Sequence, residues 1–282
     1  MATPNIVSTI AQLRSQIAAA RKSGTRIGMV PTMGALHEGH LSLVREIQKH
    51  ADLVVVSIFV NPTQFAPHED FDRYPRTLEA DTAKLAAAGG TGLIFAPTVR
   101  EMYPEGSATR IEVGGPSHGL ETDFRPHFFA GVATIVAKLL LAAMPDAAVF
   151  GEKDYQQLLV IRRLATDLGL ATEIIGAPII REPDGLAMSS RNAYLSPDER
   201  KIAGQMNLLL KKAVSDLHTG SQITGVEDDV RRNLLRTGFG SVDYATVRDA
   251  NTLEPISALG RPARVLAAAK VGNTRLIDNM AV

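Results

Sequence analysis

Short apolar runs alternate along the first part of the chain with segments whose apolar residues recur at helical spacing. The run at 53–60 is rich in β-branched residues, which is typical of a buried strand in a parallel sheet, and a shorter run lies at 26–30. Between them, Leu41, Val44 and Ile47 mark the apolar face of a helix. A strand, a helix and a strand within this span predict a βαβ unit.

The same alternation continues to about residue 180. An opening helix is predicted from about Ile6 to Gly24, and further strands at 92–96, 147–150 and 172–175. The remaining helices are predicted at 77–88, 128–143 and 154–168, and short strands at 110–113 and 179–180. This succession predicts an α/β fold with a Rossmann-like doubly wound parallel sheet.

Proline and glycine are frequent between residues 177 and 185, and a different order of elements follows. Ser196 and Glu199 have capping-box spacing, with Pro197 in the first turn, which predicts a helix to about Leu217. The later elements are a helix at 224–236 and strands at 242–247 and 264–271. We therefore predict a Rossmann-like nucleotide-binding domain over 1–180 and a smaller C-terminal α+β domain over 181–282.

Composition excludes several classes of function. The 282 residues include 30 basic and 30 acidic side chains, and this neutrality argues against a nucleic-acid partner. The chain has no cysteine, which excludes disulfides and thiolate metal sites. We expect a soluble cytoplasmic protein without a membrane partner, because no signal peptide is predicted and the most apolar segment, 128–149, is interrupted by Lys138 and Pro145.

Two histidines lie where the first strand gives way to its helix, which is predicted to begin at about His40. Pro31 and Gly34 end the extended run, and His37 and His40 are spaced so that both rings project to one side. A helix N-terminus favours phosphate, and two imidazoles there suit negative charge developing on an α-phosphate. The pair could instead be half of a zinc site, although zinc usually takes three or four ligands.

A second candidate stretch follows the strand at 147–150. Gly151 permits close approach of the backbone, and Lys153 supplies a positive charge that attracts phosphate. Asp154 and Gln157 have capping-box spacing, so both could instead serve only the end of a helix.

A third candidate stretch is Met188-Ser189-Ser190-Arg191-Asn192. Hydroxyls and a guanidinium can hold the phosphates of a departing pyrophosphate, and arginine can bind them through two hydrogen bonds. Alone, this stretch is equally typical of an ordinary polar loop.

These stretches resemble known signatures. His37-Glu38-Gly39-His40 resembles the HIGH motif of nucleotidyltransferases and class I aminoacyl-tRNA synthetases, and 188–192 resembles their KMSKS loop, with Arg191 in place of the final lysine. The longer string Pro-Thr-Met-Gly-Ala-Leu-His-Glu-Gly-His-Leu-Ser-Leu closely resembles the pantothenate synthetase family, also called pantoate–β-alanine ligases. The resemblance extends along the whole chain.

The resemblance implies an ATP-dependent ligation in two steps. The pantoate carboxylate attacks the α-phosphorus of Mg-ATP, giving pantoyl adenylate and pyrophosphate, and the β-alanine amine then displaces AMP to give pantothenate. It also implies ATP and Mg²⁺ as ligands and a homodimer. The alternatives are a simple nucleotidyltransferase that stops after adenylylation, and a nucleotide-sensing or metal-binding module without turnover.

The resemblance also implies a set of site residues. Those that stabilise the reacting phosphates are His37, His40, Lys153, Ser189, Ser190 and Arg191. Those that line the ATP site are Pro31, Thr32, Met33, Gly34, Ala35, Leu36, His37, His40, Gly151, Glu152, Lys153, Asp154, Ile180, Met188, Ser189, Ser190 and Arg191. Those that bind pantoate or β-alanine are Gln64, Gln157, Met33 and Asn61.

Further residues are expected around this set. Phe59 contributes to the apolar wall of the pantoate site. Tyr74, Arg125 and His127 lie in polar loops beside it, and residues 66–76 form a mobile wall. Asp81 approaches magnesium, or it serves only the helix dipole.

Overall fold

The structure is a computed structural model that describes residues 3–66, 69 and 71–282. It divides into two compact units, one of residues 1–152 and 160–178, the other of residues 153–159 and 179–282. The division at 178/179 lies close to the predicted domain boundary at 180/181. The sequence pattern did not predict that residues 153–159 group with the second unit.

The first unit is the α/β unit, and it is built around a six-stranded sheet. Its strands are β1 (Asn5–Val7), β2 (Ile27–Thr32), β3 (Leu53–Ile58), β4 (Thr91–Phe95), β5 (Ala147–Gly151) and β6 (Glu173–Ala177). Its helices are α1 (Ile10–Arg21), α2 (Glu38–Ile47), α3 (Leu78–Ala88), α4 (Val99–Met102), α5 (Glu121–Phe124) and α6 (Phe128–Ala143). Helix α7 (Tyr155–Asp167) follows β5, and its residues fall in both units.

The sheet is parallel throughout, in the order β1-β4-β3-β2-β5-β6. From β2 the chain proceeds to β3 and β4 on one side, and then returns to β5 on the other side. The order therefore reverses at β2 and β5, and in open α/β sheets ligands bind beyond the carboxyl ends of the strands at such a point. The loop that leaves β2 leads to His37 and His40 at the start of α2, and β5 ends at Gly151.

Close packing of α2 on β2 holds the histidine helix against the sheet. Gly28 makes this contact possible, since a Cβ at that position would lie 2.4 Å from Cγ1 of Ile47. Val44 and Ile47 are buried against Val30 and Val54 in the same apolar cluster. The face predicted from helical spacing is thus the buried face of α2.

The second unit is an α+β unit with an antiparallel sheet in the order β7-β8-β9. Its elements are helices α8 (Pro197–His218) and α9 (Ile223–Arg236), and strands β7 (Ser241–Asp249), β8 (Ala263–Val271) and β9 (Thr274–Ala281). The predicted capping box is present, with Ser196 and Glu199 bonded reciprocally and Pro197 as the first helical residue. The predicted fold class is therefore confirmed.

Several predicted boundaries are corrected. Strand β2 continues through Pro31 and Thr32, and α2 begins at Glu38 rather than near His40. Residues 110–113 form no strand, and 179–180 lie outside β6. Strands β1 and β9 were not predicted.

None of the helices in the described ranges combines the length and apolar character that a membrane crossing requires.

Candidate active site

The histidine loop, residues 32–37, connects β2 to α2 through a tight turn. The Thr32 hydroxyl donates to the carbonyl of Ser57 at 2.7 Å and accepts the amide of Gly34 at 3.2 Å. Gly34 has φ of +82° and Ala35 has φ of +50°, so two successive residues occupy the left-handed region. Such a turn needs support from its surroundings, because alanine rarely adopts this conformation.

Asp81 supplies that support from the first turn of α3. Its side chain is fully buried, with Oδ2 accepting the Ala35 amide at 2.9 Å and Oδ1 accepting the Leu36 amide at 2.8 Å. Thr77 donates its hydroxyl to the same carboxylate at 3.1 Å, and Lys84 donates to the Leu36 carbonyl at 2.6 Å. Asp81 was expected to approach magnesium, but both of its carboxylate oxygens accept hydrogen bonds, from the histidine loop and from Thr77.

The two histidines cap α2 reciprocally. Nδ1 of His37 accepts the Gly39 amide at 3.2 Å, and Nδ1 of His40 accepts the His37 amide at 3.3 Å. Their ring centroids lie 4.1 Å apart, so the structure brings the pair together. A ring nitrogen that accepts an amide N–H carries no proton itself, so the neutral imidazole bears its proton on Nε2. Both rings therefore provide an Nε2–H donor at the start of a helix.

The described residues contain no group of three or more histidine, cysteine, aspartate or glutamate side chains arranged to hold a metal. The zinc alternative for the histidine pair thus has no set of protein ligands in that part of the chain.

Three predicted pantoate residues meet in the turn that follows β3. Asn61 and Gln64 are buried at either end of a 3₁₀ turn, and Asn61 Nδ2 donates to Gln64 Oε1 at 3.1 Å. Gln64 Nε2 lies 3.1 Å from the sulfur of Met33. Met33 belongs to the histidine loop, so this turn and the histidine loop are in contact.

Gly131 and Tyr103 support this turn, and neither was singled out from the sequence. A Cβ on Gly131 would lie 2.4 Å from the carbonyl oxygen of Thr63, so only glycine lets α6 approach so closely. The Tyr103 hydroxyl donates to Asn61 Oδ1 at 2.8 Å. A glycine inside the apolar pattern at 128–143 is a signal of close approach, whereas Tyr103 lies in a loop that carries no such signal.

The predicted wall residues form a cluster of rings and charges. Arg125 donates to both carboxylate oxygens of Glu69, at 2.6 and 2.9 Å, and its guanidinium lies 3.8 Å from the ring centroid of Phe128. Tyr74 is buried, with its ring 5.9 Å from that of Phe65. His127 has a buried Nε2 without a hydrogen-bond partner among the described residues. Part of the expected wall, residues 67, 68 and 70, lies outside the described residues.

The stretch after β5 divides between the two units. Gly151 ends β5 in the first unit, and a 3₁₀ turn over Glu152–Asp154 leads into α7. In the second unit, the Lys153 carbonyl accepts Asn279 Nδ2 at 2.9 Å. The side chain of Gln157 makes no hydrogen bond within residues 3–66, 69 and 71–282, so the capping box with Asp154 is not formed there.

The serine loop, residues 188–192, overlaps a 3₁₀ turn over Ser190–Tyr194, whose N-cap is Ser189. Ser189 Oγ accepts the Arg191 amide at 3.3 Å, which leaves the hydroxyl hydrogen to donate. Asn192 Nδ2 donates to Glu182 Oε1 at 2.8 Å and to the Ala187 carbonyl at 3.1 Å. The Met188 amide bonds the Ile180 carbonyl at 2.9 Å, so Ile180 contacts this loop as backbone.

A charged cluster lies beneath the serine loop. Arg200 on α8 pairs with Glu182 at 2.7 Å and with both carboxylate oxygens of Asp184. The hydrogen bond from Arg200 holds the pKa of the Asp184 carboxyl below its usual value, against a smaller opposing effect of burial. The same pairs raise the pKa of Arg200.

Comparison with known proteins gives consistent matches along the whole chain. The family model described as pantoate-beta-alanine ligase matches residues 5–281. A pantothenate synthetase from Mesorhizobium japonicum is 56% identical over 282 residues, covering 100% of this chain and 99% of the relative. A second, from Paramagnetospirillum magneticum, is 54% identical over 278 residues, covering 99% of this chain and 98% of the relative.

Solved structures agree with these matches. The crystal structure of pantothenate synthetase from Thermus thermophilus superposes with a TM-score of 0.92 at 46% identity, covering 98% of each chain. That of pantoate-beta-alanine ligase from Francisella tularensis, complexed with Beta-gamma ATP and beta-alanine, gives 0.83 at 34% identity, covering 99% of this chain and 97% of that one. The chain therefore belongs to the pantoate–β-alanine ligase family.

Proposed function

We propose that this chain joins pantoate to β-alanine with ATP, through a pantoyl-adenylate intermediate. The observation that carries the proposal is the family match over residues 5–281, and the β2–α2 junction suits its first step. A pantoate carboxylate oxygen bonds to the α-phosphorus as the bond to pyrophosphate breaks. The β-alanine nitrogen then bonds to the acyl carbon, the bond to AMP breaks, and the amine loses its proton.

In this proposal the imidazoles act on the α-phosphate. Each presents an Nε2–H because its Nδ1 already accepts an amide at the start of α2. Donors fixed in advance stabilise charge developing in a transition state, since they need no reorganisation. His37, His40 and Lys153 are assigned to the α-phosphate, and Ser189, Ser190 and Arg191 to the leaving pyrophosphate.

The remaining binding residues are proposed in two groups. The ATP-binding set is 31–36, 151–154, Ile180 and 188–191, together with the two histidines. Gln64, Gln157, Asn61 and Met33 are assigned to pantoate or β-alanine. The mutual contacts of Met33, Asn61 and Gln64 support the second assignment.

Magnesium, the homodimer and a cytoplasmic location also stay proposals. We propose that Mg²⁺ arrives with ATP and is held by its phosphates. Asp81 is not assigned to it, because both oxygens of that carboxylate already accept backbone amides.

Isotope exchange tests the proposed function. Pantoate should drive exchange of labelled pyrophosphate into ATP in the absence of β-alanine, because adenylate formation is complete before the amine binds. Addition of β-alanine should then give pantothenate and AMP. Exchange that a phosphate-bearing acceptor supports and pantoate does not would point to the simple nucleotidyltransferase instead. Active enzyme that shows no exchange would exclude a freely reversible adenylate step.

A further inference from the structure

Gln64 is held by a hydrogen-bond network whose polarity the backbone determines. Asn61 is 1% exposed, and its Nδ2 donates to the Gly131 carbonyl at 3.2 Å, while its Oδ1 accepts the Thr63 amide at 3.4 Å. A carbonyl can only accept and an amide N–H can only donate. If the nitrogen and oxygen of Asn61 were exchanged, the oxygen would face the Gly131 carbonyl and the nitrogen would face the Thr63 amide. Neither pair could form a hydrogen bond, so only one orientation of Asn61 fits.

The orientation of Asn61 determines that of Gln64. The atom of Gln64 that faces Asn61 Nδ2, at 3.1 Å, must be its acceptor, Oε1. Its Nε2 then faces the other way, where its partner among the described residues is the weakly accepting sulfur of Met33 at 3.1 Å. Gln64 thus presents N–H groups rather than a carbonyl, and an oxygen-bearing ligand such as a carboxylate or hydroxyl matches it.

Tyr103 adds a further donor to this network. Its hydroxyl lies 2.8 Å from Asn61 Oδ1 and 3.2 Å from the Thr63 hydroxyl. The ring is oriented by Phe59, with centroids 6.4 Å apart, and by Lys138, whose Nζ lies 5.3 Å from the ring centroid. Burial raises the pKa of the Tyr103 hydroxyl, which therefore keeps its proton at neutral pH.

We propose that Tyr103 is a positioning residue: its hydroxyl holds Asn61, and through Asn61 it fixes Gln64 with an N–H directed at pantoate. The inference rests on the proposed function for the identity of the substrate. It adds that Gln64 selects for an oxygen acceptor, and that Tyr103 reinforces the orientation of Asn61 that the backbone determines.

Tyr103→Phe removes the hydroxyl and keeps the ring. We expect the KM for pantoate in the exchange reaction to rise about three- to tenfold, the scale of one neutral hydrogen bond. The kcat and the KM for ATP should stay unchanged, since neither depends on Gln64. Tyr244→Phe, on β7, is the matched control and should leave all of these constants unchanged. An unchanged pantoate KM in Tyr103→Phe would overturn the inference.

A double variant separates positioning from general structural support. In a Gln64→Ala background, Tyr103→Phe should have no further effect on pantoate KM, because Tyr103 acts through Gln64. Additive effects would contradict this route.

Gln64→Glu tests the direction of the amide. Asn61 can still donate to one carboxylate oxygen, but the second oxygen would face the acceptor atoms of pantoate. Gln64→Glu should therefore lower pantoate kcat/KM at least as far as Gln64→Ala does. A glutamate variant more active than the alanine variant would show that a carbonyl faces the substrate.

Nitrogen-15 spectra of glutamine-labelled protein provide a readout that needs no turnover. The side-chain amide signal of Gln64, identified by its loss in Gln64→Ala, should move in Tyr103→Phe and stay in place in Tyr244→Phe. A signal that does not move would refute the coupling whatever the enzyme's activity. If the signal moves and the wild-type enzyme shows no pantoate-dependent exchange, the proposed function fails and the coupling stands.

Discussion

The histidine loop and the serine loop share one kind of helix cap but are held in place by different contacts. In each, a capping side chain accepts a backbone amide, which leaves its N–H or O–H to donate. The histidine loop is held by a fully buried carboxylate on another helix, Asp81. The serine loop is held by its own Asn192 and by Glu182, whose ion pair with Arg200 is partly exposed.

This difference predicts different sensitivities to mutation. A buried carboxylate that accepts amides cannot be replaced by water, so its loss should disturb both folding and catalysis. A partly exposed ion pair is screened by solvent, so its loss should matter little. We therefore expect the histidine loop to be rigid and the serine loop to be adaptable.

The largest expected effect is at His40. In His40→Asn an oxygen can still accept the His37 amide, but the Nε2–H donor is lost. Single-turnover adenylation should fall by about 10²-fold or more, the cost of one preorganised donor, while the melting temperature stays near that of the wild type. Near-normal adenylation would show that His40 is only a helix cap.

His40→Ala is the companion variant, because it loses the cap as well. It should be less stable by about 0.5–2 kcal/mol.

Gln157 supports neither the histidine loop nor the serine loop, so its replacement tests substrate binding alone. Gln157→Ala should lower pantoate-dependent kcat/KM by roughly ten- to a hundredfold if Gln157 binds pantoate, since substrate groups would lose their partner. ATP affinity and melting temperature should not change. A lower melting temperature with intact pantoate kinetics would instead show that Gln157 serves only the fold, and would contradict its assignment to pantoate.

Asp81→Asn tests the buried support of the histidine loop. The new amide group would oppose one of the two loop amides, at about 1–3 kcal/mol, which corresponds to about 2–4 °C in melting temperature for each kcal/mol. Adenylation should fall about tenfold or more, because His37 would be displaced.

Glu79→Gln is the control for the helix dipole, because Glu79 also lies in the first turn of α3. It should change neither the melting temperature nor the rate of adenylation. If Asp81 instead binds magnesium, the Mg²⁺ dependence would shift, and the melting temperature without Mg²⁺ would stay constant.

Ser189 distinguishes capping from phosphate binding in the serine loop. Aspartate caps helices as well as serine does, but it has no donor at neutral pH and repels phosphate. Ser189→Ala should lower kcat/KM for ATP by about three- to tenfold, and Ser189→Asp should lower it further. Wild-type activity in Ser189→Asp would restrict Ser189 to a capping role.

The smallest effect is expected at Arg200. Arg200→Met should reduce the free energy of unfolding by less than about 1 kcal/mol at neutral pH, because its ion pairs are partly exposed. The pKa of Asp184 is lowered in the folded protein, so its pairing stabilises the protein above the usual carboxyl range and is lost as pH falls through the folded-state value. The difference between variant and wild type in the free energy of unfolding should therefore shrink as pH falls below the usual carboxyl range. A difference that persists there would contradict the assignment to ion pairing.

Local sequence patterns predicted the parallel alternation and the histidine helix, because the apolar residues of β3 and α2 belong to continuous segments. They did not reveal the role of Asp81, whose partners Ala35 and Leu36 are distant in sequence. Nor could they predict the reciprocal capping by His37 and His40, since the expected helix began too late.

Two missed strands have different causes. The residues of β1, Asn5–Val7, include Ile6, whose spacing to Ile10 fits the opening helix, so the apolar pattern extends the predicted helix over this short strand. In β9 the buried residues include Asp278 and Asn279, polar side chains that weaken any apolar alternation. Their burial is made possible by partners such as Arg181 and Arg264, which only the folded second unit supplies.

The most direct test of the central claim follows an oxygen atom through the reaction. Pantoate labelled with oxygen-18 in its carboxylate, turned over with ATP and β-alanine, should yield AMP carrying one labelled oxygen on its phosphate. This result is required if a carboxylate oxygen bonds to the α-phosphorus and stays with AMP when the amine attacks. Formation of pantothenate with unlabelled AMP would contradict the adenylate route and the assignment of His37 and His40 to the α-phosphate.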